Sequence, residues 1–398
     1  MSLSALRQGG HRRGMSSSRF AVPLLGLGQA INFASSYYLL GVMADPAARA
    51  MSMGTQPLFL ALSVAFLISA VLTPLAGRCV ERFGGARVLA VSHLAFALAL
   101  GVLALAPNVP VLCLGVVLLG VGMSGGLYGT AFAIVVEMQG QGARRAIAAV
   151  SLLGALGGAL GWPISRAVLD VVGWRGAFAF WGVVQAVVCM PVALFLLPRR
   201  AASPTIKSVN EPVRWCPAMI RLATFFAGAW AVSTAMGAHL PRLLSDLGLD
   251  AATAAWVAGL MAASAIAARL IDLTVLHRSH PILTARAAAL LHPAGAAIAS
   301  IAGPMAAPAV AIGQGLGNGF LSVASGVLPL TVFGPDRYAR RQALLLTPAR
   351  YFQAAAPLAY AVAMDVSPYV ALAASSLVCL VLFVLTFGLR PTGQRPLN

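Results

Sequence analysis

The sequence predicts an all-α membrane protein of twelve transmembrane helices in two pseudo-symmetric six-helix bundles. Three observations predict it: a composition that water cannot solvate, an apolar segment of spanning length that recurs twelve times, and basic residues concentrated in alternate connections. Apolar residues make up 60% of the 398 and charged residues 9%, against roughly 25% charged in an ordinary globular domain. So little charge cannot cover a water-soluble body of this length. A soluble enzyme, a nucleic-acid binder and a disordered regulator are thereby excluded. The net charge of +17 would suit a nucleic-acid partner, but the basic side chains sit in short loops between apolar runs, where they determine topology. Lys207 is the one lysine among 27 basic residues, so the arginine and alanine bias reads as genome composition.

In chain order, residues 1–19 are polar and basic and read as a cytoplasmic tail. The apolar run 20–43 is too long for a signal-peptide core and long enough to span, which predicts an uncleaved first helix. Further segments follow at 56–76, 88–106, 110–136, 145–169, 176–197, 219–240, 251–276, 281–302, 305–331, 343–364 and 367–389. Each is near the roughly 20 residues that a bilayer requires. The longest connection, 198–218, is polar and proline-bearing. It reads as a cytoplasmic linker between an N-terminal bundle, 20–197, and a C-terminal bundle, 219–389, with 390–398 as a second tail.

With the N-terminus placed inside, 20 basic residues fall in cytoplasmic segments and three (Arg49, Arg175, Arg242) in outer loops, while Arg166, Arg269, Arg286 and Arg350 lie within helices. That bias puts both termini inside. The expected location is the inner (plasma) membrane of a bacterial cell. The halves also echo each other: Gly120, Gly122 and Gly126 match Gly313, Gly315 and Gly319 at an offset of 193, and Ala143-Arg144-Arg145 matches Ala339-Arg340-Arg341 at 196. Ordered matches at near-constant offset indicate a duplicated six-helix unit. Cys79, Cys113, Cys189, Cys216 and Cys379 are scattered without a CxxC pair. They read as small packing residues, and neither a disulfide nor a metal is expected.

The connection after the second segment reads GRCVERFGGAR. Gly77 would allow a close helix approach, and Glu81 would meet a helix N-terminus or a nearby arginine. The plainer reading is a solvated turn that carries topology charges. This stretch resembles the loop signature of the major facilitator superfamily, Gly-x-Leu-x-Asp-Arg-x-Gly-Arg. Gly77, Arg82 and Gly84 fit it, Glu81 stands for the aspartate, Gly85 and Ala86 replace basic residues, and Arg87 follows. The resemblance implies two six-helix halves, rocker-switch alternating access, a gating latch at this loop and usually a monomer. In the fifth segment, Gly154/Gly158 and Gly157/Gly161 form interleaved small-xxx-small pairs before Pro163. They suit close packing and a bend, and they resemble the Gly/Pro signature of antiporters in the superfamily.

A charge at mid-membrane costs about 2.5 to 3.5 kcal/mol on insertion scales and marks a functional hypothesis. Arg166 and Arg286 lie near segment ends, where they can snorkel. Arg269 lies deep in the eighth segment with Asp272 close behind, and Arg350 lies well inside the eleventh. The run AAWVAGLMAASAIAARL resembles that of the monocarboxylate carriers and oxalate/formate exchangers. The resemblance implies that Arg269 binds a substrate carboxylate, and the oxalate/formate branch also places a basic residue where Arg350 stands. Ala265 replaces an acidic residue of the animal carriers, and the first segment lacks their acidic-Gly-Gly-aromatic opening. Two guanidinium groups facing one cavity could each grip a carboxylate bidentately. The plainer reading pairs Arg269 with Asp272 and lets Arg350 snorkel.

Further candidate binding groups are Gln29, Asn32, Ser35, Tyr37 and Tyr38 in the first segment, Gln314 and Asn318 in the tenth, and Tyr351 and Gln353 in the eleventh. Gln29 and Asn32 share a helical face, as do Gln314 and Asn318, and each pair would serve equally as an interhelical bond. His93 and His292 read as packing residues before proton relays. Nine of the ten carboxylates fall in loops or near segment ends and only Asp272 lies well inside, so the interior favours anions. The expected activity is secondary transport of a small organic anion, either as proton symport with Asp272 as the coupling group or as anion exchange. A drug or toxic-oxyanion efflux antiporter and a non-transporting scaffold or sensor are the alternatives. The expected partners are the lipid bilayer, the solute, and protons or a counter-anion, with no nucleic acid. No cofactor or enzymatic activity is expected: there is no HExxH and no P-loop, so ATP does not drive it.

Overall fold

The computed structural model describes residues 20–198 and 213–389. The expected tails, 1–19 and 390–398, and residues 199–212 of the expected linker lie outside the described residues. Helix is the dominant element, and the described residues contain no strand. The first half comprises α1 (20–32), α2 (Leu40–Ala50), α3 (Gln56–Phe83), α4 (Gly85–Leu105), α5 (Val109–Gly126), α6 (Tyr128–Gln139) and α7 (Arg144–Val183). The second comprises α8 (Pro217–Asp246), α9 (Ala251–Thr274), α10 (Pro281–Ala302), α11 (Pro308–Phe333), α12 (Tyr338–Val366) and α13 (Pro368–Leu385). Each apolar segment read from the sequence is helical over most of its length.

The boundaries follow local chemistry. Proline occupies the first turn of α8, α10, α11 and α13, where its missing N–H has no partner to lose. Asp250 caps α9 by accepting from the amides of Ala252 and Thr253, each at 3.1 Å, and Ser367 caps α13 through Tyr369 N at 3.2 Å. Gly84, at φ 86°, turns the chain between α3 and α4, a conformation that side chains with a Cβ disfavour.

Several helices run further, or break elsewhere, than the apolar runs indicate. The first helix passes through a π-turn at Phe33–Tyr37 and resumes as α2; within it the Ser36 hydroxyl bonds back to Asn32 O at 2.5 Å, a contact that often bends helices. It reaches Ala50 despite Asp45, Pro46 and Arg49: Met43, Ala44, Ala47 and Ala48 keep one face buried while the charges stay outside. The fourth segment breaks at Leu127, which is extended (φ −87°, ψ −177°). The fifth and sixth run together as α7, redirected at Gly173 with φ 72°. Eight helices among the described residues are long and apolar enough to cross a membrane, one of them the 88-residue run Val109–Leu196 that holds these breaks.

The chain falls into two compact units, Met1–Pro212 and Val213–Asn398. The core of the first gathers Met43, Leu58, Phe96, Leu103, Leu112, Leu119, Phe178 and Trp181. The second has one cluster around Met236, Leu243, Val310 and Leu372, and another around Phe225, Phe226, Phe320 and Leu345. Glycines set the closest approaches. A Cβ at Gly120 would strike the backbone of Ala65 on α3, and one at Gly315 the backbone of Met261 on α9. One at Gly122 would meet Phe96 on α4, and one at Gly317 would meet Ala288 on α10. By contacts, 120 therefore corresponds to 315 and 65 to 261. The internal repeat thus has the 195–196 register of the Ala-Arg-Arg match, two residues beyond the glycine letters. Glycines alternate in both helices, so letters alone are degenerate by two.

Candidate functional site

In the first unit the sequence-derived candidates meet in a buried polar network. Gly126 ends α5, and the extended Leu127 leaves its carbonyl without a helical partner. Gln29 Nε2 and Asn32 Nδ2 both donate to that carbonyl, at 2.9 and 2.7 Å. Gln185, the one amide in the sixth apolar segment, donates from Nε2 to Asn32 Oδ1 at 3.1 Å and to Ser35 Oγ at 2.7 Å. Its Oε1 therefore faces His93 Nδ1, 2.7 Å away, and Nδ1 carries the hydrogen. Gln29, Asn32, Ser35, His93 and Gln185 are all buried. Gln29 and Asn32 thus bind a broken helix to the first one. Gln185 was legible as a lone amide in an apolar run, but its partners lie 92 to 153 residues away.

Beside this network lies a group of rings. Tyr37, half-buried, sits 5.0 Å from Tyr38 and 5.5 Å from Phe66 between centroids. Trp162 Nε1 donates to Tyr38 O at 3.0 Å, and Phe33 lies 4.8 Å from Tyr128. The glycines of the fifth segment make room for it: Gly158 abuts Tyr38, Gly154 abuts Tyr128, and Gly157 and Gly161 let α7 approach Ala30 and Ala34.

In the second unit Arg269 is 7% exposed and donates from Nη1 to Ala265 O, one turn back, at 2.8 Å. Asp272 is fully buried and accepts from the Thr284 hydroxyl on α10 at 2.7 Å. α9 ends at Thr274, so Arg269 stands about 7.5 Å from that end of the helix. Arg350 is half-buried and twelve residues into α12, about 18 Å from its start. On the same helix Tyr351 is exposed, and Gln353 donates to Thr234 Oγ1 on α8 at 3.0 Å. α11 packs along α9, and α12 along α8, so the two arginines project from helices with different main neighbours. On α11, Gln314 is buried and Asn318 half-buried, and Asn318 Oδ1 is buried with no hydrogen-bond partner among the described residues. His292 meets Ser375 Oγ at 2.9 Å. Of the remaining charges, Arg166 pairs with Asp170 at 2.9 Å on an exposed face. Arg286 lies over Phe387, 4.1 Å from the ring centroid.

Comparison with known proteins places this architecture. Residues 25–347 match the family model described as Major Facilitator Superfamily. The chain belongs to the major facilitator superfamily. It is accordingly a multi-pass membrane protein and a secondary transporter. Solved superfamily structures share its fold. The E. coli fucose:proton symporter matches with a TM-score of 0.74 at 14% identity, over 93% of this chain and 99% of that one. The human organic anion transporter MFSD10 matches at 0.68 and 15%, over 92% and 99%. The proton:xylose symporter XylE matches at 0.68 and 12%, over 95% and 96%. At such identities the likeness is one of fold. No curated protein sequence matches the chain.

The loop that carries the superfamily resemblance is the turn between α3 and α4. Gly77 is buried on α3, and Gly84 supplies the positive φ. The carboxylate oxygens of Glu81 are buried, whereas Arg82 is exposed and lies 5.1 Å from the Phe83 centroid. Gly85 admits Ile134 of α6 where any side chain would collide. In the sequence Gly85 stands only as a lost basic residue, because a close approach from a helix fifty residues on leaves no local sign.

Proposed function

We propose that this superfamily member carries a small organic anion, a carboxylate of the kind handled by the monocarboxylate and oxalate/formate branch, by alternating access. The observation that carries the proposal is the placement of Arg269 and Arg350. Both stand within apolar helices, one buried and one half-buried, and Asp272 is the one carboxylate buried in the body of the second unit. A buried guanidinium is costly unless its donors are matched, and a neutral solute offers it only uncharged acceptors. A carboxylate gains bidentate, charge-assisted hydrogen bonds. Gln314, Asn318 and Tyr351 would supply further polar contacts, and in the first unit Tyr37 and the Gln29/Asn32 pair are the proposed counterparts. Asp272, hydrogen-bonded to Thr284, is the proposed proton-coupling group, and exchange against a second anion is the other route to charge balance. Gly77, Glu81, Arg82 and Gly84 form the proposed gating element. The organic-anion chemistry named for MFSD10 accords with this reading, while the fucose and xylose symporters name neutral solutes.

The test is ligand-induced thermal stabilisation of the purified protein against mono- and dicarboxylates, oxyanions, neutral sugars and cationic drugs. A ligand that binds the native state raises stability by mass action, about 2.7 kcal/mol at a hundredfold excess over Kd. A carboxylate is expected to stabilise the protein, with the effect lost in Arg269→Ala and reduced in Arg350→Gln. Stabilisation by sugars or cations alone, unchanged by Arg269→Ala, overturns the proposal.

A further inference from the structure

At one end of the second unit the starts of α8 and α10 meet Thr386–Gly388, the turn that follows α13. Two arginines hold this turn. Arg221 Nη1 donates to Gly388 O at 2.7 Å, and Arg286 Nε donates to Thr386 Oγ1 at 3.2 Å with its guanidinium over Phe387. Neither arginine forms an ion pair with a carboxylate among the described residues. A guanidinium has five N–H donors, and these contacts occupy one on each. The free edges of both suit a phosphate group, which accepts from arginine bidentately. Cys216 gives the start of α8 no side-chain cap, so the positive end of that helix dipole adds to the same field. Arg214 and Arg278 on the adjoining connections are basic as well.

The surroundings of this corner are apolar. Phe387 is 60% and Trp215 48% exposed, the type of aromatic side chain that sits at a membrane–water interface. Below Phe387, Val384, Val381 and Leu377 are exposed along α13 at the spacing that places them on one face. From 377 to 387 the face runs about 15 Å, half the hydrocarbon thickness of a bilayer.

We propose that this corner binds an anionic glycerophospholipid, with its phosphate between Arg221 and Arg286 and its acyl chains along the Leu377–Val381–Val384 face. A free phosphate or soluble anion would satisfy the arginines but leave that apolar face without a partner. The test uses the full chain in a zwitterionic detergent, titrated with phosphatidylglycerol, phosphatidylcholine or inorganic phosphate, with bound lipid counted by native mass spectrometry and unfolding followed by heating. No transported solute is involved, so the result is independent of the proposed substrate. Phosphatidylglycerol is expected to bind at least tenfold more tightly than phosphatidylcholine. Arg221→Gln should reduce that preference at least threefold, and Arg221→Gln with Arg286→Gln should remove it. Arg242→Gln, at the other end of α8, should leave it unchanged. Equal binding of the two lipids, a preference that survives Arg221→Gln, or stabilisation by inorganic phosphate matching that by phosphatidylglycerol overturns the proposal. Arg221 is exposed, so the single variant keeps the test decisive if the double variant does not fold.

Discussion

Gln185 shows what a single side chain can hold in an apolar helix. It binds Asn32, Ser35 and His93 at once, and through Asn32 it steadies the contact that caps α5. Each net hydrogen bond is worth about 0.5–1.5 kcal/mol, and orphaned partners add desolvation penalties. Gln185→Leu is expected to destabilise the protein by about 2–4 kcal/mol, and His93→Leu, which removes one contact, by about 1 kcal/mol. Denaturant unfolding in detergent micelles checks both, and a Gln185→Leu curve that coincides with the wild type refutes the network's role. Glycines allow a second comparison. Gly315→Val drives a side chain into the Met261 backbone, whereas nothing lies within 4 Å of a Cβ at Gly259. Overpacking costs about 1–3 kcal/mol, and an open helical Gly→Ala gains about 0.4–1 kcal/mol. Opposite shifts in Tm are therefore expected for Gly315→Val and Gly259→Ala. At this scale the sequence reveals residue types and conceals partners. The lone amide and the buried charges of Arg269 and Asp272 are visible in the string; the carbonyl that Gln29 serves, nearly a hundred residues on, is not.

At the scale of elements, apolar run length locates the helices well, because a bilayer demands about 20 apolar residues whatever their order. It fails at helix ends. The extension of α2 past Asp45 and the continuation of α8 through Pro241 to Asp246 carry polar residues or proline on faces that burial does not use, and the opening turn of α12 is held by the buried Tyr338, whose hydroxyl donates to Gly326 O. The π-turn at Phe33–Tyr37 and the break at Leu127 are equally silent, since Gln29, Asn32, Ser35 and Ser36 read as ordinary polar residues until the second helix is in place. Caps are more legible. Asp250 stands directly before α9, and hydrogen bonds from the Thr253 side chain, then from the Thr253 and Ala252 amides, hold its carboxyl below the usual carboxylate range. A depressed folded-state pKa stabilises the fold above the unfolded value and loses that effect as pH falls through the folded one. Asp250→Ala is therefore expected to lower Tm at pH 7, with the gap closing as the pH drops below about 4. A gap that stays constant on acidification would show that the charge takes no part in the cap.

On the scale of the whole molecule, the sequence carries its duplication more faithfully than any single site. The two units have separate cores, and the glycine contacts repeat between them at a fixed register, with Gly120 on Ala65 mirrored by Gly315 on Met261 and Gly122 on α4 by Gly317 on α10. Each unit thus owns close contacts that order its helices, and the connection 199–212 is polar and proline-bearing in sequence. A protease site introduced within 199–212 should therefore cut the folded protein while each fragment keeps its helical circular dichroism and resists further digestion. Gly120→Val should then expose only the N-terminal fragment to digestion, and Gly315→Val only the C-terminal one. Each collision is with the backbone of a helix in its own unit, and backbone yields less readily than a flexible side chain. If either substitution exposed both fragments equally, the units would be unfolding as one cooperative body, and the duplicated six-helix unit would be a record of ancestry without being a unit of stability.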